Sequence, residues 1–540
     1  MRLRMGLGPV FEAECLRASR RVSFYAARVA LVAGLLAALV VVWLARAGAV
    51  PGGVDQRELA AIGRAFQQAL MGVELALAVL LAPASAAGAL CHDRARGGLA
   101  LLLTTDLSRR EIVLGRLASR LLATLGVVAA GLPVLAMTTW LGGVDPMAVV
   151  GGSLVVVGVA CLGVAMALTF SLWAGKPHEA LSATYGVWAV WLLALLAWEA
   201  MGVRAPAWLH WSNPIALIYG DWLAGGALPG FQLRFFAASL AGTAALTTLA
   251  TWSLRPAALG RGPVAARPPR RRSPRWLRWI GQASPDLDDD PALWREWHRT
   301  RPSAYARGLW RAYGILGTAL AFWSAGDHSG PMVGALLASV GLLLACVDSA
   351  SSLADERAQG ALDVVLATPL ESRRIALAKW RGAFRIVPRL AILPAWIAWS
   401  EAAERRQDWP FALGITALVF GLVLGYGAVV VGWGLLMAIG QPRPGRAIGG
   451  TVGAYVALTM AYPILVIAFV RIGPHDTLPT WPSPFFGILF ATQAARSMSY
   501  LGDQSPGLAF GFLAFLVVVA YALWRYALRN FDRGLGRVAG

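Results

Sequence analysis

Two short runs of charged and small residues stand out, because they recur in one order at a constant spacing. The first is Asp93-Arg94-Ala95-Arg96-Gly97-Gly98-Leu99, and the second is Glu356-Arg357-Ala358-Gln359-Gly360-Ala361-Leu362. An acid beside an arginine can form ion pairs and charge-assisted hydrogen bonds, and a glycine after them lets the chain turn. The match continues through Leu103/Leu366, Thr105/Thr368, Leu107/Leu370, Arg110/Arg373, Ile112/Ile375 and Leu114/Leu377. Leu99, Leu102, Leu103 and Leu107, answered by Leu362, Val365, Leu366 and Leu370, form an apolar stripe at helical spacing. Such a helix suits docking to a partner, although a surface helix with no partner carries the same stripe. Groups for bond-making chemistry are missing. Around Gly175-Lys176, Phe170 stands where a phosphate loop needs its first glycine and Pro177 where it needs Ser or Thr. His178-Glu179 has no second histidine at zinc-site spacing. Cys15, Cys91, Cys161 and Cys346 fit no metal motif and read as small apolar residues. No nucleophile–base grouping stands out, so we predict no catalytic, cofactor-binding or metal residue.

Long apolar helices must hold these loops. Of 540 residues, 57% are hydrophobic and 14% charged, against about 25% charged in soluble domains. Apolar runs reach the roughly 20 residues a spanning helix needs. Inside a bilayer no water satisfies the backbone, so the runs must be helices. Hydropathy with basic flanks predicts six spans per half, near 26–45, 70–91, 112–140, 146–173, 180–202 and 233–254, then 307–325, 331–352, 375–400, 410–440, 447–470 and 507–528. The expected fold is an all-α polytopic membrane protein of two parallel six-span repeats, about 12 spans in all. The expected domains are 1–254, a basic linker 255–289, and 290–540. Leu132-Pro133 answers Leu393-Pro394, and Trp211-Ser212-Asn213-Pro214 answers Trp481-Pro482-Ser483-Pro484.

The net charge is +19. In a membrane protein this reports topology first, since basic residues stay on the cytoplasmic side; nucleic-acid binding is not expected. Arginines cluster before span one, between spans two and three, and after span six, whereas 142–146 and 327–331 carry no Lys or Arg. Both termini and the linker are therefore expected in the cytoplasm, despite Arg46, Arg57 and Arg64 in the outer loop 46–69. Trp276 and Trp279 among arginines suit a linker lying on anionic lipid, and plain topological anchoring explains the same residues. Each half opens with an amphipathic segment in which Pro9, Glu14 and Arg17 match Pro291, Glu296 and Arg299, as in a helix lying at the membrane interface. Ser108 and Glu111 predict a capping box at the start of span three. Glu74, Glu199 and Asp348 fall near predicted span ends, so few ionisable groups are expected at mid-membrane, against an ion-coupled carrier. Gly421 and Gly425 suit close helix packing.

The pattern acidic-Arg-x-x-Gly-x-Leu-x-x-Leu-Leu-x-Thr-Pro-Leu-Ser-Arg-x-Glu-Ile-x-x-Gly-Lys resembles the loop between spans two and three of ABC-2-type permeases. The first copy ends at Gly115-Arg116; the second keeps Thr368-Pro369-Leu370 and ends at Lys379. Asp106, Gly98, Ala361 and Glu371-Ser372 depart from it. The resemblance implies a fused permease of an ATP-driven exporter in a bacterial inner membrane, with six spans in each unit. It implies that each loop carries a coupling helix, at Asp93, Arg94, Gly97, Leu99, Leu103, Thr105 and Leu107, and at Glu356, Arg357, Gly360, Leu362, Leu366, Thr368, Pro369 and Leu370. Two copies of a cytosolic ABC ATPase would dock there, with ATP and magnesium on that partner and membrane lipids around the spans. Segments 203–232 and 471–506 would be outer helices. A major-facilitator-like carrier or a non-transporting anchor subunit are the competing readings.

Overall fold

A computed structural model describes residues 8–20, scattered positions in 22–40, and 56–95, 97–140, 144–200, 205–218, 229–259, 290–299, 304–324, 330–358, 360–404, 409–441, 444–463, 478–494 and 506–535. The described chain is helical, with no strand. It divides into two compact units, Met1–Leu196 with Arg204–Pro263, and Ala197–Val203 with Val264–Gly540.

In the first unit the helices are α1 (Gly8–Ser19), α2 (Gln56–Ala86), α3 (Cys91–Ala95), α4 (Gly98–Leu103), α5 (Arg109–Val128), α6 (Leu132–Trp140), α7 (Pro146–Trp173), α8 (Pro177–Ala200), α9 (Ala207–Ser212) and α10 (Pro229–Leu259). In the second they are α11 (Pro291–Arg299), α12 (Ala304–Ser324), α13 (Gly330–Ala358), α14 (Ala361–Leu366), α15 (Ser372–Phe384), α16 (Val387–Glu404), α17 (Trp409–Gly440), α18 (Pro444–Val456), α19 (Pro484–Gln493) and α20 (Pro506–Leu535).

Seven helical segments among the described residues are long and apolar enough to cross a membrane: Phe66–Ala86, Arg109–Trp140, Pro146–Trp173, Gly230–Pro256, Gly330–Arg357, Trp409–Gly440 and Gly507–Leu535. Of the other expected spans, much of 26–45 and the end of 447–470 lie outside the described residues. Of the basic linker, 255–259 continue α10 and 260–289 lie outside the described residues, as do 471–477 and 495–505 of the segment 471–506. The span expected at 375–400 is two helices, α15 and α16, meeting at 385–386. Its counterpart at 112–140 is likewise interrupted between α5 and α6. There Gly131 N bonds to Val128 O at 2.9 Å, the tighter spacing of a turn.

Glycines let the long helices approach. A β-carbon on Gly421 would meet Leu513 of α20 at 2.9 Å, and one on Gly425 would meet Leu516 at 3.1 Å. The pair is thus a packing seam between α17 and α20. A second recurring device lies before the last helix of each unit. Asn213 donates to Leu192 O at 2.9 Å while its Oδ1 accepts from Ile215 N at 2.9 Å. Ser483, which precedes α19, donates to Thr459 O at 3.0 Å. Thr459 lies in a π-helical turn, Ala457–Ala461.

Replacing Gly425 by Leu is expected to destabilise the second unit by about 1–3 kcal/mol through overpacking. Gly414, whose added β-carbon meets nothing within 4 Å, should accept Ala without loss. Thermal unfolding in detergent or lipid checks both; equal midpoints for Gly425→Leu and wild type would refute the seam.

Candidate functional site

Both repeated loops take the same backbone path. Gly97 has φ 73° and Gly360 φ 68°, the left-handed region that a side chain disfavours. Each glycine opens a six-residue helix, α4 or α14. Thr105 Oγ1 donates to Leu102 O and Thr368 Oγ1 to Val365 O, both at 2.6 Å, fastening the last turns. Leu99 and Leu362 are each only 1% exposed. Leu103, Leu107, Leu366 and Leu370 are half-buried, and Pro369 is exposed. The opposite side of each short helix carries one exposed apolar residue, Leu101 at 69% and Val364 at 71% exposure. The sequence stripe omitted both. They are matched positions in the repeat, which was the available signal.

Charged side chains brace each loop. Asp93 pairs with Arg116 of α5, and Arg116 also donates to Ala89 O. Glu14 of α1 pairs with Arg120 at 2.8 Å, so α1 is tied to α5. Arg94 donates to Leu172 O and, at 2.6 Å, to Ala174 O, at the C-terminal end of α7. Those carbonyls have no partner within their own helix, and a cation there also suits the helix dipole. Ser108 and Glu111 form the expected capping box, with Glu111 N to Ser108 Oγ at 3.2 Å and Ser108 N to Glu111 Oε2 at 2.8 Å.

The second loop keeps this plan with altered chemistry. Lys379, at the position matching Arg116, lies 2.6 Å from both Glu296 of α11 and Glu356. Its side chain is 3% exposed, and the two carboxylates 4% and 5%. One lysine therefore serves both α11 and the loop acid, a task split between Arg116 and Arg120 in the first unit. Glu296 lies over Gly382, where a β-carbon would collide with it. Arg357 donates to Ile439 O at 3.1 Å, again at the end of a long helix, here α17. The capping box is lost, since Glu371 makes no side-chain cap. Ser372 instead donates to Asp532 of α20 at 2.5 Å.

The residues expected in interfacial helices fall at helix ends or faces. Pro9 and Arg17 are exposed on α1, while Glu14 faces α5. Pro291 begins α11, with Asp290 Oδ1 accepting from Leu293 N at 3.0 Å. Arg299 ends α11, and its side chain lies outside the described residues. A groove of about 200 Å³ runs between α11, α14 and the start of α15, with Arg295, Val364, Val365 and Leu370 in its lining. Lys379, Arg116 and Arg120 were not among the predicted site residues; Arg116 and Lys379 close the repeated motif at a shared offset.

No protein-family model and no curated sequence matches this chain. The site therefore rests on its own geometry. Among the described residues there is no group of three His, Cys, Asp or Glu able to hold a metal ion.

Lys379→Met is expected to destabilise the protein by about 3–5 kcal/mol, because it removes the closest counter-charge of two buried carboxylates; Arg295, 3.9 Å from Glu356, is a longer contact. Adding Glu296→Gln and Glu356→Gln to Lys379→Met should recover much of the loss. Chemical or thermal unfolding of the single and triple variants measures this. A single variant as stable as wild type would mean the lysine carries no brace.

Proposed function

We propose that this chain is the membrane subunit of an ATP-driven ABC exporter, with two six-span units fused in one chain. One observation carries the reading: both loops hold a glycine-hinged short helix that buries one leucine and offers one apolar side chain, Leu101 or Val364, to solvent. A loop with no partner has no need to rebuild this arrangement twice. The bracing supports the same reading. Each loop is bonded to the end of a long apolar helix through Arg94 or Arg357, and the helix that follows it is tied to α1 or α11 through Glu14 or Glu296. A load placed on the loop therefore reaches the membrane helices through charge-assisted bonds and not through exposed chain alone.

On this reading two copies of a cytosolic ABC ATPase dock at α4 and α14 and supply ATP and magnesium. The chain itself supplies the pathway, in a bacterial inner membrane, with both termini in the cytoplasm. Arginine placement supports that orientation.

The test is a mild-detergent pull-down of the tagged full-length protein from its host. An ATP-binding protein at about two copies per chain is expected. The double variant Leu101→Glu, Val364→Glu should lower its recovery at least about tenfold, the loss of roughly 1.4 kcal/mol or more of binding. Both side chains are exposed, so folding should be unaffected. Recovery of no ATPase, together with transport that follows an ion gradient, would replace this reading with a secondary carrier.

A further inference from the structure

One acidic side chain lies far from the loops and plays no part in them. Glu74 sits within the apolar stretch Phe66–Ala86 of α2 and is 0% exposed. Neither carboxyl oxygen has a hydrogen-bond partner. Twelve residues separate it from Ala86, or about 18 Å of helix, which puts it near mid-membrane and not at a span end. Its neighbours are apolar: Leu70 and Met71 one turn before it, and Val134 and Leu135 of α6, lie in one buried cluster with Leu35. Its Oε1 occupies the space that a side chain at Gly131 would need, with Leu35 on the other side of that space.

No described charge faces it. Among the elements packed on α2, α6 has no titratable residue, α7 has only Cys161, buried elsewhere along the helix, and α8 brings Tyr185, which donates to Leu80 O six residues beyond Glu74. The ionisable residues of α5 end at Arg120, eleven residues before Gly131 and about 16 Å along the helix. Arg116 is already engaged by Asp93, and Arg120 by Glu14. On the segment carrying Leu35, the described Tyr25 and Arg28 lie seven or more residues before it. An ionised carboxylate with no partner in such surroundings costs far more than the neutral acid. Packing does not demand an acid here either. At the repeat offset of 263 residues, set by Asp93 and Glu356, the matching residue is Leu337, which is 8% exposed in its own apolar cluster.

We propose that Glu74 is a proton-binding site: a carboxylic acid stored neutral between α2 and α6, which can exchange its proton with water only when those helices part. Proton loss then favours the parted arrangement, with at most a tenfold change in its population per pH unit for one proton. The site is independent of the ATPase reading and stands or falls without it.

The test is the infrared spectrum of the purified full-length protein in lipid at about pH 6, where solvated carboxyls are already ionised. Wild type should show the carbonyl stretch of a neutral carboxylic acid. Glu74→Gln should lack it, and so should Glu74→Leu, which copies the matching residue and guards against a folding defect in one variant. Raising the pH further should remove the wild-type band as a single group titrates. If wild type and both variants coincide in that region, Glu74 is ionised or solvated and the proposal is wrong.

Discussion

Where a long apolar helix stops, its last carbonyls have lost their partners within the helix, and something must supply them. In each unit a loop arginine does so. Arg94 reaches the end of α7 and Arg357 the end of α17. These two contacts set much of the surrounding design. An arginine used this way needs its loop held close, which the neighbouring acid achieves by pairing with Arg116 or Lys379. The basic partner in turn lies on the helix that follows the loop, so both sides of the loop are anchored. The glycine at Gly97 or Gly360 then turns the chain sharply enough for six residues to form a helix before the next span begins.

The two loops reach one shape by different routes. The first uses two separate pairs, buried Arg116 with half-buried Asp93 and half-buried Arg120 with Glu14, and a capping box. The second concentrates its charges on one buried lysine and ties its following helix to α20 through Ser372 and Asp532. Burial makes the second arrangement less sensitive to screening by salt and more damaging to disrupt. Ionic strength should therefore act more on the first brace than on the second.

Much of this was legible in the sequence where polar residues recur. The loop blocks, the capping box at Ser108, and the interfacial acids Glu14 and Glu296 all stand at matched positions, and matched polar residues in apolar chain require a reason. What was not legible depended on side-chain direction. Leu101 and Leu102 are adjacent leucines, and only the placement of the short helix makes Leu101 the exposed one. Glu74 looked terminal because hydropathy starts its span near residue 70; α2 in fact begins at Gln56 and carries the acid well inside. The helical breaks at 129–131 and 385–386 are each followed by a proline at the second position of the next helix, Pro133 in α6 and Pro388 in α16, a signal that hydropathy passes over.

Those breaks alter how force would travel. An unbroken helix behaves as a rod, so tilting one end must tilt the other. The strand of chain leaving each loop is instead two shorter rods, α5 then α6 and α15 then α16, with a change in hydrogen-bond pattern between them. The rod nearer the loop carries the ion pairs with the loop and with α1 or α11; the farther rod is packed among apolar neighbours. Such a pair works as a knuckle: the phalanx nearer the loop can swing with whatever grips it while the farther one keeps its seat.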